Sequence, residues 1–165
     1  MGIRSVAASR QGSLIKLRIV ALGHRMPAWV DAGYEEYAKR IALTLVEIKP
    51  EPRTQGKTVA QLLALEAVRV RAACAGCRMV VLDERGKALT TRDLASKLDR
   101  WKDDAQDIAF VIGSADGLDA SLKREADALV ALSSFTLPHG LVRVMMAEQL
   151  YRAISLNAGH PYHRD

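Results

Sequence analysis

Three of the four histidines in this chain stand at or beyond position 139, and residues 157–165 read NAGHPYHRD. His160, Tyr162, His163 and Arg164 crowd into the last six positions, whereas chain ends are ordinarily frayed and chemically dull. An imidazole can take a proton near neutral pH. A tyrosine can stack on an unpaired base, and an arginine can donate to oxygens on which negative charge develops. His139, His160 and His163 are also of a type that ligates metals, but no carboxylate cluster completes a site and imidazoles so near a terminus lack a rigid mount. On residue types alone the tail is equally a solvated terminus and a site for proton transfer or RNA contact.

The second candidate is the loop GSADG at residues 113–117. It follows the apolar run DIAFVI and precedes a helix that Asp119 can cap, which is where a backbone approaches a nucleotide or sulfonium cofactor closely. Gly113 permits that approach because a Cβ there would collide or forbid the turn. The loop matches neither standard phosphate-binding pattern, so an ordinary turn is the competing explanation. Cys74 and Cys77 form C-x-x-C, but they close a helical segment, whereas redox pairs sit at a helix N-terminus. Zinc would need two further ligands. They are expected to be reduced thiols of a cytosolic protein.

The elements that must position these residues alternate in type. Strand-like runs occupy residues 16–22 (KLRIVAL), 43–48 (LTLVEI), 78–83 (RMVVLD), 107–112 (DIAFVI) and 133–137 (SSFTL). Helical patterns fill 29–41, 59–74 behind a Thr58 cap, the stretch from Thr90 or Thr91 to 101, 119–131 and 141–156. Trp29, Gly33, Tyr37 and Ile41 fall on one helical stripe, and residues 84–87 are expected to turn. Five strands alternating with helices predict an α/β fold with a mostly parallel sheet. Such sheets bind ligands at the carboxyl ends of their strands, which selects three loops: after Leu82, after Ile112 and at 133–139. In the final helix only Arg143, Glu148, Gln149 and Arg152 are strongly polar between residues 141 and 154. It must be covered on more than one side, by a partner subunit or by deep packing under the sheet.

With 165 residues, 49% hydrophobic and 26% charged, the chain can bury a full core in one domain. It has no run of eighteen apolar residues, so no membrane helix is expected. The net charge of +5 permits nucleic-acid partners without demanding them. Residues 1–15 carry basic residues without the apolar stretch of a secretory signal. They are expected to be a disordered or non-native extension before a single domain at 16–165.

The segment FTLPHGLVRVMMAEQLYRAISLNAGHPYHRD, residues 135–165, strongly resembles the C-terminus of the RlmH (formerly YbeA) family, apart from its first letter, Phe135. The resemblance continues through VALGHRMPAWVDAGYEEYAKR, VVLDERGKALTTRDLASKLDRWK and FVIGSADGL. It implies a SPOUT-class enzyme that transfers a methyl group from S-adenosyl-L-methionine to N3 of a pseudouridine in 23S rRNA, on the assembled ribosome in the cytoplasm. The implied fold is a parallel-rich five-stranded α/β sheet with flanking helices and a C-terminal trefoil knot, although knots are almost absent from proteins. It also implies a homodimer packed through the knotted region, with no metal and no membrane.

Carried onto this chain, the family pattern makes Leu82, Gly113, Leu132, Ser133, Ser134, Phe135, Thr136 and Leu137 the cofactor residues. The catalytic set is Arg164 as the cationic cap, Tyr162 orienting the base, and His139 as proton acceptor, with His163 or water as the other acceptors. The tail becomes a lid that closes the partner's site. Ser114 stands where a second glycine is common, which puts a positive φ there in question; Gly140 replaces a frequent proline and Asp165 a glutamate. The rival expectations are a SPOUT methyltransferase with another RNA target and a noncatalytic ribosome-binding module.

Overall fold

The segments LRIVAL and IAFVI are apolar at almost every position, and a strand with that pattern needs cover on both faces. In the computed structural model, which describes residues 14–54 and 56–163, they lie side by side in the middle of a sheet. Among the described residues the strands are β1 (Leu17–Leu22), β2 (Thr44–Ile48), β3 (Arg78–Ala88), β4 (Ile108–Ile112) and β5 (Ala128–Ala131). Their order is β2-β1-β4-β3-β5, and every pairing is parallel. All five carboxyl ends therefore face one edge.

The two-residue period of the strands divides the core. Ile19, Ala21, Val80, Phe110 and Ile112 point to one side and meet α1 (Ala28–Ile41), α3 (Thr91–Asp103) and α5 (His139–Asn157). Val20, Leu22, Val81, Ala109 and Val111 point to the other and meet α2 (Val59–Ala73) and α4 (Ala120–Glu125). Helix α5 buries Arg143, Met146, Ala147, Leu150 and Ala153 at a helical spacing, and α1 and α3 flank it. Leu141, Val142, Val144 and Met145 of the same helix stay partly exposed. Thr58 and Thr90 start α2 and α3 with reciprocal capping boxes, to Gln61 and Asp93, each cap typically contributing about 1 kcal/mol.

Three expectations are corrected. The helix expected over 119–131 ends at Glu125, and the last strand is at Ala128–Ala131, not at 133–137. Alanine and leucine in ADALVA suit a helix, but Asp127 breaks it: its carboxylate accepts from the Met79 N–H at 2.8 Å, and its own N–H donates to the Met79 carbonyl at 2.8 Å. Those bonds begin β5 on β3. Residues 133–137 are loop, with the Phe135 N–H bound to the Ser133 hydroxyl at 2.9 Å. The stripe through Trp29 is displaced by one residue, since Val30, Tyr34 and Ala38 are buried while Trp29 is exposed.

The turn expected at 84–87 lies inside β3. Val130 stands in register with both Leu82 and Lys87, so residues 83–86 arch out of the ladder and return to β5. Gly86 presses on the β5 backbone: a Cβ there would lie 2.6 Å from the Val130 nitrogen and 2.7 Å from the Leu129 carbonyl carbon. Backbone cannot yield as a flexible side chain can. Gly86→Ala is expected to cost roughly 1–3 kcal/mol or more, read as a lowered thermal midpoint and as increased proteolysis of the arch.

Candidate active site

The carboxyl ends of β3, β4 and β5 open onto a cleft of about 670 Å³, within the size range of small-molecule sites. Its walls are the three loops selected from sequence. Leu82, Gly113, Leu132, Ser133, Phe135, Thr136, Leu137 and His139 all line it; Ser134 does not and is exposed. A second cavity of about 430 Å³ between α3, α5 and the sheet is lined by Trp101, Met145, Met146 and other uncharged groups. It offers nothing titratable.

Loop 113–117 is a tight turn closed on itself. The Gly117 N–H donates to the Ser114 carbonyl at 2.9 Å, and Ser114 and Gly117 form an isolated antiparallel bridge. The positive φ belongs to Gly117, at +84°, and not to Ser114, so serine is tolerated where the family often has glycine. Gly113 is required: a Cβ would lie 2.9 Å from Leu118 Cγ and 3.0 Å from the Gly117 backbone. The loop is also strapped from outside. Arg53 in the β2–α2 connection donates to Glu66 Oε1 at 2.7 Å and to Asp116 Oδ2 at 3.0 Å, and the Glu51 N–H donates to the same Glu66 oxygen at 2.8 Å. Glu66 is 1% exposed, so the strap is moored in the core.

On the opposite wall, Asp83 accepts from Lys123 at 2.6 Å and from the Arg85 N–H at 2.8 Å. The Lys123 ammonium holds its carboxyl below the usual range, so it stays ionised. Sequence inspection did not single out Asp83, Arg85 or Lys123, because a charged residue after a strand is common.

His139 sits at the base of the cleft with both ring nitrogens engaged. Arg143 Nε donates to its Nε2 at 2.9 Å, which leaves the proton on Nδ1 to donate to the Gly113 carbonyl at 2.9 Å. Burial pushes its pKa below the ordinary imidazole value, and the Arg143 charge adds to this against the opposing pull of the Gly113 carbonyl and Glu47. Its ring also fills the space over Gly23, where a Cβ would lie 2.9 Å from Cε1.

The tail lies elsewhere. It turns at Gly159, φ +70°, and returns along α5 so that the Tyr162 hydroxyl donates to Glu148 Oε1 at 3.2 Å. The Tyr162 ring packs against the Tyr151 ring at a tilt of 56° with centroids 4.4 Å apart, and Arg152 lies over it at 5.0 Å. Burial, Glu148 and Tyr37 push the phenol up to about 12, so it is a neutral donor at physiological pH. Glu148 is nine positions beyond His139 on one helix, about 13 Å along the axis, so Tyr162 is remote from its own chain's cleft. The His163 side chain and Arg164 lie outside the described residues.

Cys74 is buried, which pushes its thiol up to about 11, and burial raises Cys77 as well; neither is the low-pKa thiolate of a redox site. Among the described residues no group of three or more His, Cys, Asp or Glu could hold a metal ion, and no helix is long and apolar enough to cross a membrane.

The sequence model of a family described as "Predicted SPOUT methyltransferase" matches residues 15–163. The chain belongs to the SPOUT methyltransferase family. Proteins named ribosomal RNA large subunit methyltransferase H from Ralstonia pickettii and Nitrosospira multiformis are each 56% identical to it over 155 residues, 91% of this chain and 99% of theirs. Its fold is similar to that of a putative methylase from Neisseria gonorrhoeae, with TM-score 0.53, 16% identity, and coverage of 87% of this chain and 85% of that one. A putative RNA methyltransferase from Bacillus anthracis has TM-score 0.52 and 14% identity, covering 82% of this chain and 93% of that one.

As a SPOUT methyltransferase the chain uses S-adenosylmethionine, and the cleft suits it. Leucine side chains and backbone-rich turns can face the nucleoside, and the Ser133 and Thr136 hydroxyls can reach polar edges.

Two outcomes test this geometry. Arg53→Ala leaves the buried Glu66 carboxylate without its cation, at a cost of roughly 1–3 kcal/mol or more. Glu66→Gln in the same chain should recover most of that loss in thermal melts. His139 is half-buried with its pKa lowered, so its contribution to stability is present above the unfolded imidazole pKa of about 6.5 and is lost as pH falls toward the lower folded value. The thermal midpoint should therefore drop more steeply from pH 7 to 5.5 in the wild type than in His139→Gln.

Proposed function

We propose that this chain methylates N3 of a pseudouridine in 23S rRNA on the assembled ribosome, acting as a cytoplasmic homodimer in which each tail serves the partner's cleft. The observation that carries the proposal is the separation within one chain: seven of the eight residues that the family pattern assigns to the cofactor, all but Ser134, line the cleft, while Tyr162 is docked on the far part of α5. Tyr162 held there, away from its own chain's cleft, fits a tail that serves a second copy's. The target class follows from relatives named as methyltransferases of the large-subunit ribosomal RNA. The arch of residues 83–86 across β5 is consistent with a threaded C-terminal segment, the trefoil knot of the family.

When bound, S-adenosylmethionine supplies an activated sulfonium methyl group. The protein must do the rest. Loops 113–117 and 132–137 fix the position from which the methyl departs, and alignment with the attacking nitrogen is a large part of such catalysis. N3 must lose its imide proton, so charge spreads onto the flanking carbonyl oxygens. Arg164 is placed in this proposal as the cap on that charge, and the neutral Tyr162 hydroxyl as a donor that orients the ring. His139 is committed on both nitrogens, which favours His163 or water as the proton acceptor. The base must leave its stack to enter the cleft, which is cheapest in an RNA loop.

Mass spectrometry of the corresponding rRNA segment from a strain lacking the gene should show the N3-methyl mark absent, and restored with the gene. A mark that persists without the gene would sink the assignment. Calorimetry that finds no binding of S-adenosylmethionine would favour the noncatalytic module; binding without that mark would favour another RNA target. Removing the last four residues, or Arg164→Ala, should abolish turnover or cut it by about 100-fold, as loss of one charge-stabilising donor does elsewhere, while cofactor affinity stays within about twofold.

A further inference from the structure

Arg143 is 0% exposed and sits on the face of α5 that otherwise packs Met146, Ala147, Leu150 and Ala153 against the sheet. Burying a guanidinium costs several kcal/mol unless its donors are satisfied, and an apolar residue would fill the same space. Its Nε donates to His139 Nε2 at 2.9 Å and its Nη1 to Glu47 Oε2 at 3.0 Å; Nη2 has no partner among the described residues. Packing alone does not account for a charge held there with one donor unmet.

Its contacts run across the cleft edge of the sheet. Glu47 belongs to β2 and is half exposed, His139 opens α5, and the Gly113 carbonyl ends β4. Arg143 and His139 are four residues apart and share one helix face. The arginine cannot accept a proton, so its N–H must donate to Nε2. The imidazole then has only Nδ1 to carry its hydrogen, and that hydrogen points at Gly113. We propose that Arg143 is a positioning residue for methyl transfer: it holds His139 as the neutral Nδ1–H tautomer, and through that ring it orients the Gly113 carbonyl at the base of the cofactor cleft.

Two consequences follow from the geometry. His139 has no free lone pair while Arg143 is in place, so it orients backbone and takes no proton from the substrate. The groups that face its ring are Arg143 on its own helix, Glu47 on β2, and the backbone at Gly23 and Gly113; of the two charges, Arg143 opposes protonation and Glu47 favours it. Removing Arg143 frees Nε2 and lifts that opposition. The effect on the cofactor rests on the methyltransferase proposal above, whereas the tautomer does not.

The test uses the full-length protein with 15N-labelled histidine. NMR should show His139 as the Nδ1–H tautomer, staying neutral to lower pH than an ordinary imidazole does. In Arg143→Met it should lose that fixed tautomer and titrate nearer the ordinary value of about 6.5. Arg143→Lys keeps the positive charge but lacks the planar fork, so it should not restore the tautomer. In both variants the KM for S-adenosylmethionine should rise about tenfold while kcat at saturating cofactor stays within about threefold. If Arg143→Met does not fold, Glu47→Ala, at a half-exposed position, should loosen Arg143, mix the His139 tautomers and raise the KM by a smaller factor, while the ring's titration moves away from the ordinary value, opposite to Arg143→Met. An Nε2–H tautomer or ordinary titration in the wild type overturns the proposal, as do ring signals or a KM unmoved in the variants that fold. A wild type that binds no S-adenosylmethionine refutes the methyltransferase proposal instead, and the ring signals still decide whether Arg143 holds His139.

Discussion

The structure depends on one close approach of backbone to backbone, where Gly86 lies on the peptide of Leu129 and Val130. Strand β5 has only four residues, and its one neighbour in the sheet is β3. The arch of β3 grips it. Residues 82–85 leave that grip on one side and 132–137 on the other, and they are two of the three walls of the cleft. A side chain at position 86 would separate those walls, so the geometry of the binding site depends on the absence of a single carbon.

The third wall is held by charge. Loop 113–117 is fixed at its acidic side by the Arg53 strap to Glu66 and at its first carbonyl by His139. Both restraints begin at groups deep in the protein, Glu66 at 1% exposure and Arg143 at 0%. Buried ions are poor sources of stability. They are good sources of direction, because a hydrogen bond in a low-dielectric interior is stiff and defined in angle.

Much of this was legible in the sequence for simple reasons. LRIVAL and IAFVI declare central parallel strands by being apolar throughout, and Thr58 and Thr90 declare helix starts by their capping chemistry. The strand-end rule then located the cleft. What remained hidden was decided by contacts between distant residues. ADALVA favours a helix locally, and only the two hydrogen bonds between Asp127 and Met79 make its second half a strand. Arg143 was visible as a polar residue on an apolar helix, the one available signal of its role. Which way it pointed, and that it would meet Glu47, His139 and the core, depends on the register of α5 under the sheet. Asp83, Lys123 and the Arg53 strap gave no local signal at all.

The imidazole over Gly23 links two positions far apart in sequence. A Cβ at 23 would displace Cε1 of His139, and that ring carries the hydrogen bond to Gly113. Positions 23, 139 and 113 therefore form one unit of substitution. A larger residue at 23 is compatible with the cleft only if position 139 shrinks with it, and then the Gly113 carbonyl needs another donor. Variants that exchange these positions singly should be less fit than those that exchange them together, so the three should drift as a set through the history of the family.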